Sequence, residues 1–218
     1  MKRLIIIGEG QTEQAFCKDI LQPFFAAKSI YIQNPTIKKS KGGIVPWKEF
    51  KKEILNHLKS DSSVCVSLLI DYYGIKAKHE FPKWVEAKTI VDKNERMDFL
   101  ENAMLEEIEN KYEKRFIPYI QLHEFEGLLF CDIDVFNENF EKEEFLDYNY
   151  LNETIERYAN PEMINDGKTT APSKRLSRII LGYQKTVHGP LLAEEIGLKA
   201  MREKCPRFNN WIEKMSEI

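Results

Sequence analysis

The first part of the chain alternates continuous apolar runs with segments of helical periodicity. Strands are predicted at residues 3–8, 30–37, 64–71 and 115–121, and helices at residues 12–28, 46–60 and 93–114. The run over 64–71 is apolar almost throughout, which is typical of a strand buried on both faces. Alternating strands and helices are the pattern of β-α-β units. We therefore predict an α/β fold with a mainly parallel sheet flanked by helices.

From about residue 135 the pattern changes to short helices separated by proline and glycine. We predict an α/β domain over residues 1–134 and a helical C-terminal extension over residues 135–218 that packs on it. No apolar run approaches the roughly 20 residues of a membrane-spanning helix, and the opening run is too short for a signal peptide. The protein is therefore expected in the cytoplasm, with no membrane partner.

Charge and cysteine spacing narrow the classes of function. A net charge of -3 argues against a nucleic-acid binder that works by overall positive charge, while a local basic patch remains compatible with it. The four cysteines lie far apart, without Cys-x-x-Cys spacing or a histidine pair at zinc-ligand spacing. We expect them to be reduced and packed, and no zinc site is predicted.

The motif Gly8-Glu9-Gly10-Gln11-Thr12-Glu13 follows the first strand and opens a helix. A dinucleotide-binding loop would need a third glycine where Glu13 stands, and Glu9 would repel a pyrophosphate. The phosphate-binding loop of nucleotide triphosphatases is absent. Carboxylates at a strand end and one helical turn later instead favour Mg²⁺ or Mn²⁺. The alternative for Glu13 is a first-turn acid that suits the helix dipole.

A second apolar strand also ends in an acid, Asp71. The carboxyl ends of parallel strands meet at the same edge of a sheet. If the two strands are neighbours, Glu9 and Asp71 therefore leave the sheet on one edge.

These residues resemble the Toprim fold of topoisomerases, DnaG-type primases and overcoming-lysogenization-defect (OLD) nucleases. The segments "EGQTE", "QLHEFEGLLFCD", "APSKRL" and "CPRFNNWI" are similar to a bacterial Toprim-like family of domains of unknown function, often associated with ATPases in genome defence. The resemblance implies a Toprim-like Rossmannoid fold. It also implies that Glu9 is the Toprim glutamate, Glu13 the extra metal-side glutamate of OLD-type nucleases, and Asp71 the first acid of the Asp-x-Asp motif.

This sequence departs from the Toprim pattern at the second acid of that motif, where Tyr73 stands. A phenol does not replace a carboxylate as an Mg²⁺ ligand at neutral pH. Either another segment supplies the missing acid, or the site holds metal weakly or not at all.

The segment "HEFEGLLFCD" is the predicted source of replacement ligands. Glu124 and Glu126 would share a face on an extended segment and diverge on a helix. By itself the pattern is typical of a solvated acidic turn before a core helix. The resemblance favours metal binding, because the segment falls where OLD-type enzymes hold a second metal group.

Several basic residues are candidates for contact with a nucleic-acid backbone. Lys174 could stabilise charge on a scissile phosphate, and Arg175 or Arg178 could grip the backbone. Weaker candidates are Lys185 and the glycine-rich loop that carries Lys38, Lys39 and Lys41. A solvated basic helix face and a solvated loop are the alternatives. Residues 71–88 interleave aromatics with lysines as single-strand platforms do, although Phe81 and Trp84 could equally close over the core.

The sequence thus predicts a metal-dependent nucleic-acid phosphodiesterase, an endonuclease acting on DNA or, alternatively, on RNA, in a genome-defence system with an ATPase partner. Mg²⁺ or Mn²⁺ would be held by Glu9, Glu13 and Asp71 with help from Glu124 or Glu126, and Lys174 would assist catalysis. The alternative is a non-catalytic module that uses the same scaffold to bind an ATPase partner or a phosphate-bearing ligand.

Overall fold

The computed structural model describes residues 2–35, 37, 43–164, 167 and 169–218. These residues form two compact units. One consists of Met1–Leu122 together with Trp211–Ile218, and the other of His123–Asn210.

The first unit contains a five-stranded parallel sheet. Its strands are β1 (Lys2–Gly8), β2 (Ile30–Gln33), β3 (Val64–Asp71), β4 (Phe116–Ile117) and β5 (Ile120–Gln121). The order is β2-β1-β3-β4, and β5 pairs with the carboxyl end of β3. All of these pairings are parallel, which confirms the predicted α/β class and the mainly parallel sheet.

The central strands are buried because their side chains are apolar on both faces. In β1 the residues Leu4 to Ile7 are buried, and β3 is buried at every position except Cys65, which is partly exposed. The predicted last strand is split into β4 and β5 at Pro118, which has no N–H to donate to a ladder.

Helices follow the strands of this unit. They are α1 (Gln11–Phe16), a π-helical turn (Cys17–Leu21), α2 (Gln22–Ala26), α3 (Trp47–Ser60), α4 (Trp84–Ala87) and α5 (Lys93–Glu106). Short 3₁₀ turns occupy Tyr72–Gly74, Ala77–His79 and Asn110–Arg115. The predicted helix over 46–60 is confirmed as α3, which buries Phe50, Ile54 and Leu58 along one face.

The end of the chain returns to the first unit. The indole of Trp211 stacks on Tyr119 at 4.5 Å between ring centroids, nearly parallel. Its N–H donates to Ser67 Oγ at 2.8 Å, and the Ser67 hydroxyl donates to the carbonyl of Ile117 at 2.7 Å. Residues distant in sequence thus complete the core around β3 and β4.

The second unit is helical. Its elements are a 3₁₀ helix (Phe125–Cys131), α6 (Ile133–Asn139), a 3₁₀ turn (Lys142–Glu144), α7 (Tyr148–Arg157), a 3₁₀ turn (Pro161–Met163), α8 (Pro172–Ile179), α9 (Lys185–Lys204) and the start of α10 (Pro206–Ser216). A kink interrupts α9 at Gly197, where φ is +71°. The units divide the chain at residue 123, whereas the predicted boundary between the α/β domain and the helical extension lies at residue 134, and that division stays a prediction. No described helix is both long and apolar enough to cross a membrane.

Candidate functional site

Two acids meet at the carboxyl edge of the parallel sheet. Glu9 directly follows β1, and Asp71 ends the neighbouring strand β3, with Gly8 opposite Leu69 in the register. A carboxylate oxygen of Glu9 accepts a hydrogen bond from the backbone N–H of Asp71. The Asp71 residue is only 8% exposed, and Glu9 is half-buried. The predicted meeting of Glu9 and Asp71 is therefore confirmed, and we call them the carboxylate pair.

Glu13 lies beside this pair at the start of α1. Its Oε2 accepts a hydrogen bond from the Gly10 N–H at 2.9 Å, so it closes the first turn of the helix as a capping residue. A Cβ on Gly8 would lie 3.0 Å from the Glu13 Cβ, which explains why a glycine ends β1. Burial and then the nearby Glu13 raise the pKa of the Cys17 thiol.

The turn after β3 packs against Glu9. A Cβ on Gly74 would lie 2.7 Å from Ile44 Cγ1 and 3.6 Å from Glu9 Oε2. The residue before it, Tyr73, is 41% exposed. Tyr72 points the other way and is buried.

The carboxylate pair offers oxygen ligands of the kind that divalent cations accept. Among the described residues, no group of three or more His, Cys, Asp or Glu side chains is placed to hold a metal ion. Mg²⁺ commonly binds through one or two carboxylates and completes its shell with water and substrate phosphate oxygens. The ligand types of the pair are therefore compatible with a cation shared with a phosphate substrate. The pair does not form a complete protein cage, and metal binding by Glu9 and Asp71 stays a prediction.

In the second unit, Glu124 and Glu126 sit in different backbone conformations. Glu124 is extended, and its Oε2 accepts a hydrogen bond from the Ser173 N–H at 2.9 Å, at the start of α8. Glu126 lies inside the 3₁₀ helix and is 0% exposed. Its two oxygens lie 3.0 and 3.1 Å from Lys185 Nζ. Burial raises the pKa of Glu126, and Lys185 opposes this shift.

Sequence reasoning missed two buried groups of this unit. The Tyr183 hydroxyl is buried, has no hydrogen-bond partner within the described part of the chain, and has its pKa raised by burial and by Glu126. Glu162 is buried and accepts from the N–H groups of Arg207 and Phe208 at 3.0 Å each. No local motif marks either group, because both environments are made by residues distant in sequence.

The basic residues predicted to contact a nucleic acid lie in different surroundings. Lys174 is exposed on α8. Arg175 is only 5% exposed and donates to the Thr170 carbonyl and the Thr154 hydroxyl, so it would have to leave these partners to reach a ligand. Arg178 donates to Asp147 at 2.6 and 3.0 Å. Lys38, Lys39 and Lys41 lie outside the described residues. Contact of any of these residues with a nucleic acid stays a prediction.

The predicted site residues thus divide between the units. The first unit holds Glu9, Glu13 and Asp71, and the second holds Glu124, Glu126, Lys174 and Lys185. Whether Glu124 and Glu126 supply metal ligands stays a prediction.

Comparison with known proteins gave one result. No curated protein matched the chain, and no solved structure matched it. One family model, described as a domain of unknown function (DUF4276), matches residues 8–216 and so spans both units. The chain therefore belongs to the DUF4276 family.

Proposed function

We propose that this protein is a metal-dependent phosphodiesterase that cuts nucleic acid, with DNA as the favoured substrate. The observation that carries the proposal is the carboxylate pair at the carboxyl edge of the parallel sheet, where α/β proteins bind ligands. The resemblance to Toprim and OLD-type nucleases supports it, because that resemblance assigns metal binding to Glu9 and Asp71. A genome-defence role with an ATPase partner is part of the same proposal.

The chain's own residues would orient the reacting groups. Glu9 and Asp71 would hold Mg²⁺ or Mn²⁺, which would supply charge neutralisation at the phosphate and an acidified water. The Asp71 N–H donates a hydrogen bond to one oxygen of Glu9, and Gly74 lies close to the other oxygen. Glu13, by capping α1, keeps the loop that carries Glu9 in place. The catalytic assistance by Lys174 is part of the proposal and is tested by its own substitution to alanine.

One observation favours a second candidate, a non-catalytic module that binds an ATPase partner or a phosphate-bearing ligand. The described residues contain no group of three or more metal-ligating side chains, and a tyrosine stands at the second acidic position. A scaffold that has lost its full ligand set could keep the fold for binding alone.

Cleavage assays test the proposal directly. Supercoiled plasmid and labelled single strands are incubated with Mn²⁺, Mg²⁺ or EDTA and with the parent, Glu9→Gln, Asp71→Asn or Lys174→Ala. The matched control is Glu113→Gln. Glu113 is an exposed acid that precedes β4, so it lies at the amino ends of the strands, away from the carboxylate pair. We expect metal-dependent cutting by the parent and the control and loss of cutting in the Glu9 and Asp71 variants. Unchanged cutting in both of those variants would refute the proposal.

Thermal unfolding separates the two candidate functions. A ligand that binds only the folded state raises stability by about 2.7 kcal/mol at 100 times its Kd. A catalytic protein should show saturable stabilisation by Mn²⁺ that Glu9→Gln abolishes and Glu113→Gln retains. A binding module should show neither cutting nor this stabilisation.

A further inference from the structure

The segment that follows Asp71 is irregular but firmly anchored. Over residues 72–87 it buries an aromatic, aliphatic or imidazole side chain every few positions, at Tyr72, Ile75, His79, Phe81 and Trp84. A long loop with this many buried anchors holds its exposed side chains in defined places.

Several contacts provide this anchoring within the first unit. The Tyr72 hydroxyl accepts a hydrogen bond from Arg96 at 3.1 Å, and its ring lies 5.7 Å from that of Trp84. The Phe81 ring lies 5.7 Å from Trp47 and 5.9 Å from Phe50, both on α3. Of the two alternatives left open for Phe81 and Trp84, the structure shows burial in the core, so these two rings are not available to stack on a base.

Other side chains of the same segment are exposed, among them one aromatic ring and two lysines. Tyr73, Lys76 and Lys78 are exposed. Within the described ranges, the Tyr73 ring contacts no other aromatic ring, and neither lysine forms an ion pair. The segment also carries two exposed acids, Glu80 and Glu86, and a third lysine, Lys83, pairs with Glu106 at 2.5 Å. We call Tyr73, Lys76 and Lys78 the Tyr73 surface.

This surface begins at the carboxylate pair. Tyr73 follows Asp71 by two residues, and a Cβ on its neighbour Gly74 would lie 3.6 Å from Glu9 Oε2. A chain of alternating phosphates and bases that reached the pair would therefore meet an exposed aromatic ring and two cations.

We propose that the Tyr73 surface binds an unpaired nucleic-acid strand, with a base stacked on Tyr73 and phosphates near Lys76 and Lys78. Aromatic side chains stack on bases whose faces are open, and duplex bases cover one another. The inference rests on the proposed function and makes its substrate a single strand or a locally unpaired segment.

Binding is measured by fluorescence anisotropy of a labelled single strand and of the matching duplex, in EDTA so that no cutting occurs. The test variants are Tyr73→Ala, Tyr73→Phe and the double variant Lys76→Ala/Lys78→Ala. Tyr31→Ala is the matched aromatic control, because Tyr31 is 45% exposed on β2. Lys114→Ala/Lys214→Ala is the matched charge control, because both lysines are exposed and, within the described ranges, form no ion pair, as is true of Lys76 and Lys78.

We expect the parent to prefer the single strand. Tyr73→Ala should weaken binding about 5- to 100-fold, whereas Tyr73→Phe should retain it, since a stacked base is worth about this factor. The double lysine variant should reduce the magnitude of the slope of log affinity against log salt by about 1.4. Each lost phosphate contact on a single strand contributes roughly 0.7 to that slope. Circular dichroism and melting temperature confirm that each variant is folded.

The result separates this inference from the proposed function. Binding that depends on Tyr73, without cutting under any metal, would support the surface and refute the nuclease. Cutting by the parent together with unchanged binding by Tyr73→Ala and by the lysine variant would refute the surface and leave the nuclease in place. A preference for duplex, or no binding to either probe, would also overturn the inference.

Discussion

Gly74 is packed so closely that one added methyl group should lower the stability of the fold. Its alanine Cβ would lie 2.7 Å from Ile44 Cγ1, closer than a carbon contact permits, and Cγ1 is bonded directly to the branched Cβ rather than being the free end of a flexible side chain. We expect Gly74→Ala to lower the free energy of unfolding in urea by about 1–3 kcal/mol, the usual cost of overpacking.

The control for this substitution is Gly10→Ala, on the other side of Glu9. There the new Cβ would meet Glu13 Oε2 at 3.6 Å, an ordinary contact, so the loss should be limited to the poorer N-cap that alanine makes, about 0.5–1 kcal/mol. Equal losses in the two variants would show that close packing at Gly74 is not the cause.

Glu162 makes stability depend on pH. Burial raises its pKa from the ordinary 4.5 to about 7, although the N–H groups of Arg207 and Phe208 favour the carboxylate and oppose this shift. The folded chain therefore holds the proton more tightly than the unfolded chain. The resulting stability is fully present below about pH 4.5 and is lost as pH rises through about 7, a change of about 3 kcal/mol.

Comparing the parent with Glu162→Gln isolates this effect, because glutamine cannot titrate. The difference in unfolding free energy between the two proteins should shift in favour of the variant as pH rises from 4.5 to 7, and then level off. The same comparison with Glu113→Gln, at an exposed acid, should show no such change. A constant difference across this range would contradict the assignment.

Hydrophobic patterning was sufficient to predict the bounds of helices and strands whose buried residues follow one another regularly in the sequence. The predicted strand over 64–71 and the helix over 46–60 match β3 and α3 within one residue. The π turn between α1 and α2 was not predictable, because the helical period continues through it. The 3₁₀ helix Phe125–Cys131 was left open between helix and strand, since its apolar run is buried at every position.

The candidate site was predictable only where a topological rule applied. Glu9 and Asp71 could be brought together because both end parallel strands, and the sheet order makes those strands neighbours. No such rule places Lys185 on Glu126, which is 59 residues away in the chain. Tyr72 is buried and Tyr73 is exposed because the 3₁₀ turn points them to different sides. Two identical neighbouring residues give no sign in the sequence of which one will be buried.

A side chain from α2 accepts a hydrogen bond from the edge strand of the sheet, and the contribution of this bond to stability can be measured. β2 is the last strand in the sheet, and the N–H of its Ile32 donates to Gln22 Oε1 at 2.8 Å. Gln22→Leu removes this acceptor from a largely buried N–H, so we expect a loss of about 1–2 kcal/mol in urea denaturation. Gln14→Leu is the control, because its bond to the Asn34 carbonyl is long, at 3.4 Å, and should cost less. A larger loss at Gln14 would contradict this account.

The whole molecule does not attract a polyanion by its overall charge of -3. A nucleic acid would therefore have to be held by a local surface, and association would be slower than for a basic protein. This agrees with a proposal in which two lysines and one tyrosine beside the carboxylate pair provide the binding.

The first unit includes the end of the chain, so its stability depends on residues that an N-terminal fragment lacks. A fragment of residues 1–134 would lose the stacking of Trp211 on Tyr119 and the hydrogen bond to Ser67. Losing a buried tryptophan costs about 3–5 kcal/mol, a large share of the roughly 5–15 kcal/mol that holds a domain folded. We expect the fragment to unfold at much lower urea concentration than the full chain, measured by far-UV circular dichroism.

Joining residues 206–218 to this fragment through a flexible glycine-serine linker should recover most of the lost stability, because Trp211 can then return to Tyr119. The same fusion with Trp211→Ala should not recover it, which distinguishes the indole contact from a general effect of added helix. A fragment of residues 1–134 as stable as the full chain would instead show that the N-terminal part folds alone, and that the predicted boundary at 134 describes an autonomous domain.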